Sequence, residues 1–394
     1  MRHYLLTGLL LGVTLLSCTS KQSDNPAIDR AIETATIQLK AAGDTWWDAQ
    51  TFPRSYGDGK YYEWDFTDWT SGFYPGCLWL AYKLTGNDEF ATYARHYTAK
   101  LSEVPSITYT HDLGFMVMPS YGLEYALTGD ETAKAAVIEA AHNLAARFND
   151  RIGLIRSWDF GDWNYPVIID NMMNLEMLFT VAQWTGEQRL TDIAVSHADR
   201  TMANHFRSDN SSYHVVSYND DGTVESKTTW QGCGNESRWA RGQAWGLYGY
   251  TVCYGYTVCY RFTHEKRFLE QAQKIAALIM NLPNMPEDKV PYWDYDAPGI
   301  PDAPRDASAA AVTASALLEL QGMVDTELGA KYRAYAQDIL CSLCSDAYLA
   351  QPGTNGDFIL MHSTGAAPFD SEIDDAICYA DYYFLEAIQR YKSL

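Results

Sequence analysis

The chain is short of positive charge. Its 394 residues carry 29 Lys and Arg against 50 Asp and Glu, a net charge of −21. This argues against nucleic acid and against a polyanion-binding surface, since both need clustered cations. An anionic ligand can bind only through a few local cations in a pocket. No phosphate-cradling glycine loop is present. No His, Cys and carboxylate cluster has metal-ligand spacing, so no metal or cofactor is expected. Isolated serines such as Ser308 lack a nucleophile-elbow context. Cysteine is sparse as well. Of eight, seven remain apart from Cys18, and an odd count makes no obvious disulfide framework. Cys341-Ser342-Leu343-Cys344 has no second half and reads as small buried side chains.

Past the start, no apolar run is long enough to cross a membrane. The start itself, Met1-Arg2-His3-Tyr4 and then Leu5 to Leu16, has the charged and apolar regions of a secretory signal. Leu15-Leu16-Ser17-Cys18 resembles a lipobox, with Cys18 the lipidated residue of an exported bacterial lipoprotein. An ordinary secretory signal with a chance Cys is the alternative. The reading is therefore a signal peptide over 1–17, a tether over 18–28 and a single domain over 29–394. The membrane is met only through the N-terminal lipid, in the periplasm or at the outer membrane. Removing 1–17 takes one Arg and leaves a net charge near −22.

Aromatics are abundant, with 12 Trp and 28 Tyr. Their faces suit the C–H faces of sugars, though a large helical core uses aromatics too. From Asp29 on, the pattern is almost wholly helical. Leu84-Thr85-Gly86-Asn87, Leu127-Thr128-Gly129-Asp130 and Trp184-Thr185-Gly186-Glu187 each read as helix end, turn and new start, with a worn fourth copy at 259–265. Gly suits a left-handed C-cap, and the polar or acidic residue after it suits the next N-terminus. The Thr-Gly pairs lie 43 and 57 residues apart, about two helices plus loops. Such hairpins need neighbours to bury their apolar faces, and roughly 370 residues accommodate six of them, as a solenoid or a closed ring. Long loops at 44–75, 207–241 and 283–308 carry the aromatics and acids. Asn219-Asp220-Asp221-Gly222 between alternating segments predicts a β-hairpin. Gly249-Tyr250-Thr251-Val252-Cys253-Tyr254 is repeated at once over 255–260. Six residues would turn a regular helix by roughly 240°, so the repeat must be absorbed locally.

The most informative stretch is Trp158 to Leu175. Pro166 opens an apolar run with helical spacing through Trp184, and a helix from Pro166 is expected. Asp170, Asn171 and Asn174 interrupt it, and Asp170 and Asn174 would share a helix face. A carboxyl among Ile and Met should have a raised pKa, which a general acid at neutral pH requires. A helix cap or a paired polar residue on a wet face is the plainer reading. Asp112 in Tyr109-Thr110-His111-Asp112-Leu113-Gly114-Phe115 is a second candidate acid, or an N-cap. Two carboxyls brought together push their pKa values apart, the usual design for sugar chemistry. His214 is a candidate hydrogen-bonding group or a satisfied structural His. Arg238 and Arg241 are candidate carboxylate clamps beside Trp239 and Trp245, or a surface ion pair beside a core Trp.

Four stretches, His111–Phe115, Ile168–Leu175, Trp239–Trp245 and Asp306–Ala311, together resemble glycoside hydrolase family 88, the unsaturated glucuronyl hydrolases. They fall in the family's order along nearly the whole mature chain. The resemblance implies an all-α (α/α)6 barrel with long rim loops and a small β-hairpin. It implies as partners oligosaccharides ending in a 4,5-unsaturated uronic acid, the products of polysaccharide lyases on glycosaminoglycans and related polymers. Asp170 would protonate C4 of the C4=C5 vinyl ether and, as carboxylate, activate water for C5. Asp112, the second catalytic carboxylate, would tune Asp170 or hold sugar hydroxyls. His214, Thr229, Gln231, Arg241 and Trp245 would line the subsite, with Trp69 a stacking candidate. The alternatives are an unsaturated rhamnogalacturonyl hydrolase on pectin fragments, a catalytically dead glycan-binding lipoprotein, and an ordinary inverting hydrolase of saturated glycans.

Overall fold

The computed structural model describes residues 25–251, 263 and 265–394. The expected signal segment, Cys18 and most of the tether lie outside the described residues. So do 252–260 of the hexapeptide duplication and most of the fourth turn copy.

Among the described residues, twelve helical segments pair into six hairpins. The inner members are Phe73–Thr85, the broken segment Leu113–Thr128, Ile169–Thr185, Ala240–Thr251, Ala307–Leu320 and Cys378–Lys392. Each packs on the next and the last packs on the first, which closes the ring. The outer members are Pro26–Thr45, Asp88–Ala99, Glu131–Ala145, Gln188–Asn204, Lys266–Asn281 and Thr326–Leu343. The architecture is an (α/α)6 barrel.

Burial separates the two rings. Every residue of Ala240–Thr251 is buried, as is all of Ala307–Leu320 except Glu319. Helices packed on all sides must be apolar all round. Outer helices bury one stripe; Lys266–Asn281 covers Phe268, Gln271, Ala272, Ile275, Ala276 and Ile279. A fully buried side chain of this size contributes roughly 1.5–3 kcal/mol. Pro119 sits inside the second inner segment, where it can supply no backbone donor. A π-helical turn over Met118–Gly122 absorbs the fault.

The Thr-Gly turns sit where the spacing put them. Gly86, Gly129 and Gly186 are left-handed C-caps with φ of 69°, 71° and 78°. The Thr before each Gly donates to the carbonyl four residues back and accepts from the amide two residues on. Asn87 and Asp130 then cap the next helix with their side chains; Glu187 does not.

These tight turns occupy one end of the barrel. The N-terminal ends of the inner helices occupy the other, where their side chains meet. Pro26–Thr45 runs from the closed end to the mouth. Lys392, in the last inner turn, approaches Asp29 at 3.4 Å. The strand Phe52–Gly57 after this helix pairs with Ser371–Ile377 at the rim.

Four expectations need correction. The domain expected from residue 29 starts earlier, because Asn25 caps a helix that starts at Pro26. The helix expected from Pro166 starts later. Pro166–Ile168 is a strand, Ile169–Asn174 a 3-10 turn, and the α-helix runs Leu175–Thr185. A short apolar run of Pro, Val and Ile suits a buried strand as well as a helix, and pairing with Val215–Ser217 decides the matter. The β structure also exceeds one hairpin. The expected turn at 219–222 joins Val215–Tyr218 to Val224–Thr228, and Pro166–Ile168 adds a third strand. A four-stranded sheet, in the order Lys60–Trp64, Phe52–Gly57, Ser371–Ile377, Ser363–Ala366, walls another side of the mouth. Cys344 is buried, but Cys341 is exposed.

Candidate active site

The mouth gathers the N-terminal ends of the inner helices. Each end presents unpaired N–H groups and about half a positive charge. An acidic protein thereby keeps a pocket hospitable to an anion.

Asp112 and Asp170 come from adjacent inner segments. Asn174 joins these segments: its Oδ1 accepts from the Phe115 amide at 3.0 Å. Gly114 makes the approach possible, because a Cβ there would lie 2.4 Å from Asn174 Oδ1. Asn171 donates to the Ile155 carbonyl at 3.0 Å. Asn174 thus serves the scaffold rather than sharing a helix face with Asp170, since residues four apart do not align in a 3-10 turn.

Asp112 does not cap the helix it precedes. Its carboxylate receives the Thr110 hydroxyl at 2.7 Å, and His111 Nε2 lies 3.2 Å away. Asp170 is only 7% exposed, and its Oδ2 has no hydrogen-bond partner. Burial and the charge of Asp112 push its pKa up to about 7, against the opposing pull of Arg241. It is therefore half protonated near neutrality.

His214, on the strand Val215–Tyr218 side of the mouth, has its Nε2 3.6 Å from Asp170 Oδ2. Its Nδ1 accepts the Trp230 and Gln231 amides, each at 3.1 Å. Two donors at Nδ1 leave the proton on Nε2. Burial and Arg241 hold the His214 pKa down to about 3. The ring is therefore a neutral donor aimed at Asp170 and packs at a tilt of 33° against Trp239, with the ring centres 4.4 Å apart.

Arg241 is wholly buried. It pairs with Asp306 at 2.9 Å and donates to the Thr364 and Gly365 carbonyls. The open fork expected of a substrate clamp is largely occupied, and only Nε lacks a partner. Arg238 is the surface ion pair of the plainer reading, on Asp296. Trp245 offers no exposed face. It lies between Phe115 and Tyr383, with its indole N–H unpartnered. Thr229 accepts from the Gly232 amide at 2.8 Å, and Gln231 donates to the Gly365 carbonyl at 3.1 Å. Trp69 is half-buried against Phe115 and Tyr379 at 5.4 and 5.0 Å.

Sequence reasoning named Asp306 within a motif but gave it no role. It also overlooked Arg54, which bonds Asp68 and Glu372 and ties the loop before Trp69 to the rim sheet. No spacing rule links residues so far apart.

Residues 47–393 match the model of Glycosyl Hydrolase Family 88. The chain belongs to this family. The family 88 chain is 41% identical to an unsaturated glucuronyl hydrolase of Formosa agariphila, over 100% of its own length and 99% of the relative's. It superposes on the crystal structure of an unsaturated glucuronyl hydrolase specific for heparin with a TM-score of 0.90 and 49% identity, covering 93% of this chain and 97% of the other. For the glycosaminoglycan-degrading enzyme of Bacillus sp. GL1 the TM-score is 0.84 and the identity 30%, over 92% and 96%. Like these, the family 88 chain is a glycoside hydrolase.

Proposed function

We propose that the chain removes a 4,5-unsaturated glucuronic acid from the non-reducing end of lyase-generated oligosaccharides, with Asp170 as general acid and base. One observation carries this reading: a buried carboxyl held near neutrality by burial and by a second carboxylate. A group with pKa close to the working pH can give a proton and take one back. Asp170 donates its proton to C4 of the vinyl ether. Positive charge develops at C5 and the ring oxygen, beside the Asp112 carboxylate. Asp170, now ionised, takes a proton from water as its oxygen bonds C5. The hemiketal opens and the glycosidic bond is lost. Because attack falls on C5, carboxylate spacing does not dictate retention or inversion.

His214 Nε2, Arg241 Nε and Trp245 Nε1 are buried donors without partners. Such groups are costly unless a ligand satisfies them. We assign them to the substrate's carboxylate and hydroxyls, with Thr229 and Gln231 shaping the loop and Trp69 a face for the sugar. A Streptococcus agalactiae relative has been crystallised with dGlcA-GalNAc6S, which supports a glycosaminoglycan-type partner. Loss of ultraviolet absorbance from unsaturated chondroitin, hyaluronan and heparin disaccharides tests the reading. The C4=C5 chromophore must disappear on turnover; a folded protein that leaves all three unchanged sinks it.

Lipidation at Cys18 remains part of the proposal, with the periplasm or outer membrane as the location. Cys18→Ala should release the protein from the membrane fraction.

A further inference from the structure

Beyond the pocket, three rim segments bring five aromatic rings together. Trp158 and Phe160 stack at 4.9 Å and 14°. Trp163 meets Trp230 at 5.6 Å, and Trp230 meets Phe369 at 4.7 Å. Phe160, Trp230 and Phe369 are 53%, 38% and 49% exposed. A contiguous exposed apolar patch on a soluble fold marks a contact surface. Its position says what it contacts. The Trp230 amide bonds His214, and His214 faces Asp170. Asp170, His214 and Trp230 thus form a row leading out of the pocket. A glycan whose end is held at Asp170 has its remaining rings laid along that row.

The charge around the patch narrows the ligand. A groove of about 530 Å³ beside Trp163 and Trp230 is lined by Asp162 and Glu225. Nearby cations are engaged: Arg147 and Arg156 with Asp159, Arg207 with Glu236, and Lys227 over the Tyr213 ring. Apolar ring faces suit the C–H face of a pyranose. Glu225 accepts from the Ser217 hydroxyl and the Asn164 amides, but among the described residues no cation pairs with it or with Asp162, so the two carboxylates repel a uronate or a sulfate.

We infer that Phe160, Trp230 and Phe369 form a distal subsite for an uncharged sugar ring beyond the disaccharide. It makes oligosaccharides with a neutral third unit better substrates than disaccharides. This rests on the proposed function for the orientation of the glycan.

The test compares wild type with the double variant Phe160→Ala/Phe369→Ala, which leaves the pocket groups intact. The substrates are an unsaturated disaccharide, the tetrasaccharide dGlcA-Glc-Rha-Glc, whose third ring is uncharged, and an unsaturated hyaluronan tetrasaccharide, whose third ring is a uronate. Wild type should show kcat/KM at least about tenfold higher on dGlcA-Glc-Rha-Glc than on the disaccharide, with no such gain on the hyaluronan tetrasaccharide. The double variant should lose that gain through KM while its disaccharide turnover holds. Calorimetric titration with Glc-Rha-Glc, which lacks the reactive ring, reads the platform even if no substrate is turned over. Equal binding by wild type and variant, or an equal gain on the uronate tetrasaccharide, overturns the inference.

Discussion

Replacing Asp170 by Asn should remove turnover and at the same time stabilise the fold. In the folded chain the Asp170 pKa is pushed up from 3.8 to about 7. A carboxyl raised in this way favours folding only below its unfolded pKa. That advantage is lost as pH rises from about 4 to about 7, because ionisation is then easy in the unfolded chain and resisted in the folded one. The cost is about 1.7 kcal/mol at pH 5 and about 4.3 kcal/mol at pH 8, at ~1.4 kcal/mol per pH interval. Asn is neutral at both. The variant should therefore gain ~2.5 kcal/mol more over wild type at pH 8 than at pH 5. For a domain of this length that is about 3 °C in Tm, taking the usual unfolding entropy per residue. Scanning calorimetry of both proteins at the two pH values measures it, alongside the absorbance assay. A difference in Tm that does not change with pH would show that Asp170 is not held neutral by its surroundings. The general-acid assignment would then lose its physical basis.

Four further predictions concern Asp170 and its neighbours. In wild type, kcat should fall above about pH 7, approaching tenfold per pH unit, as the Asp170 proton is lost; a flat alkaline limb would contradict the acid step. Asp112→Asn removes a charge that raises the Asp170 pKa, so the alkaline limb should move to lower pH, whatever happens to the maximal rate. Arg241→Met strands Asp306 at the centre of the barrel and should cost about 3–5 kcal/mol in denaturant unfolding, the usual penalty for breaking a buried pair; a loss under 1 kcal/mol would mean that Asp306 finds another partner. Gly114→Ala should depress activity at least tenfold while the far-ultraviolet dichroism stays helical, because the new Cβ pushes Asn174, and with it the Asp170 segment, away from Asp112.

The ring of hairpins was legible because its signals are local. A Thr-Gly pair needs only its own turn to act, and Gly86, Gly129 and Gly186 adopt the left-handed caps expected of them. The raised pKa of Asp170 was legible for a similar reason, since Ile and Met beside a carboxyl foretell desolvation. Misreadings arose where a distant segment decides. Pro166–Ile168 is a strand because residues 215–217 lie beside it, some fifty positions along the chain. Arg241 looked like a free clamp because its partner Asp306 comes from another inner helix. His214 stayed open between a hydrogen-bonding group and a satisfied structural His, because the groups that direct its proton are main-chain amides of residues 230 and 231, which no side-chain pattern reveals.

The direction of the first helix has a consequence for how the molecule would stand on a bilayer. Pro26 lies at the closed end, and the mouth lies beyond Thr45, about 30 Å along the axis for a helix of 20 residues. Only seven positions separate Cys18 from Asn25. With a lipid on Cys18, as proposed, the short leash emerges from the blind face, so the opening looks outward into the aqueous compartment. Such an enzyme would take its oligosaccharides from solution, as other enzymes release them, and would not graze on glycans fixed to its own membrane.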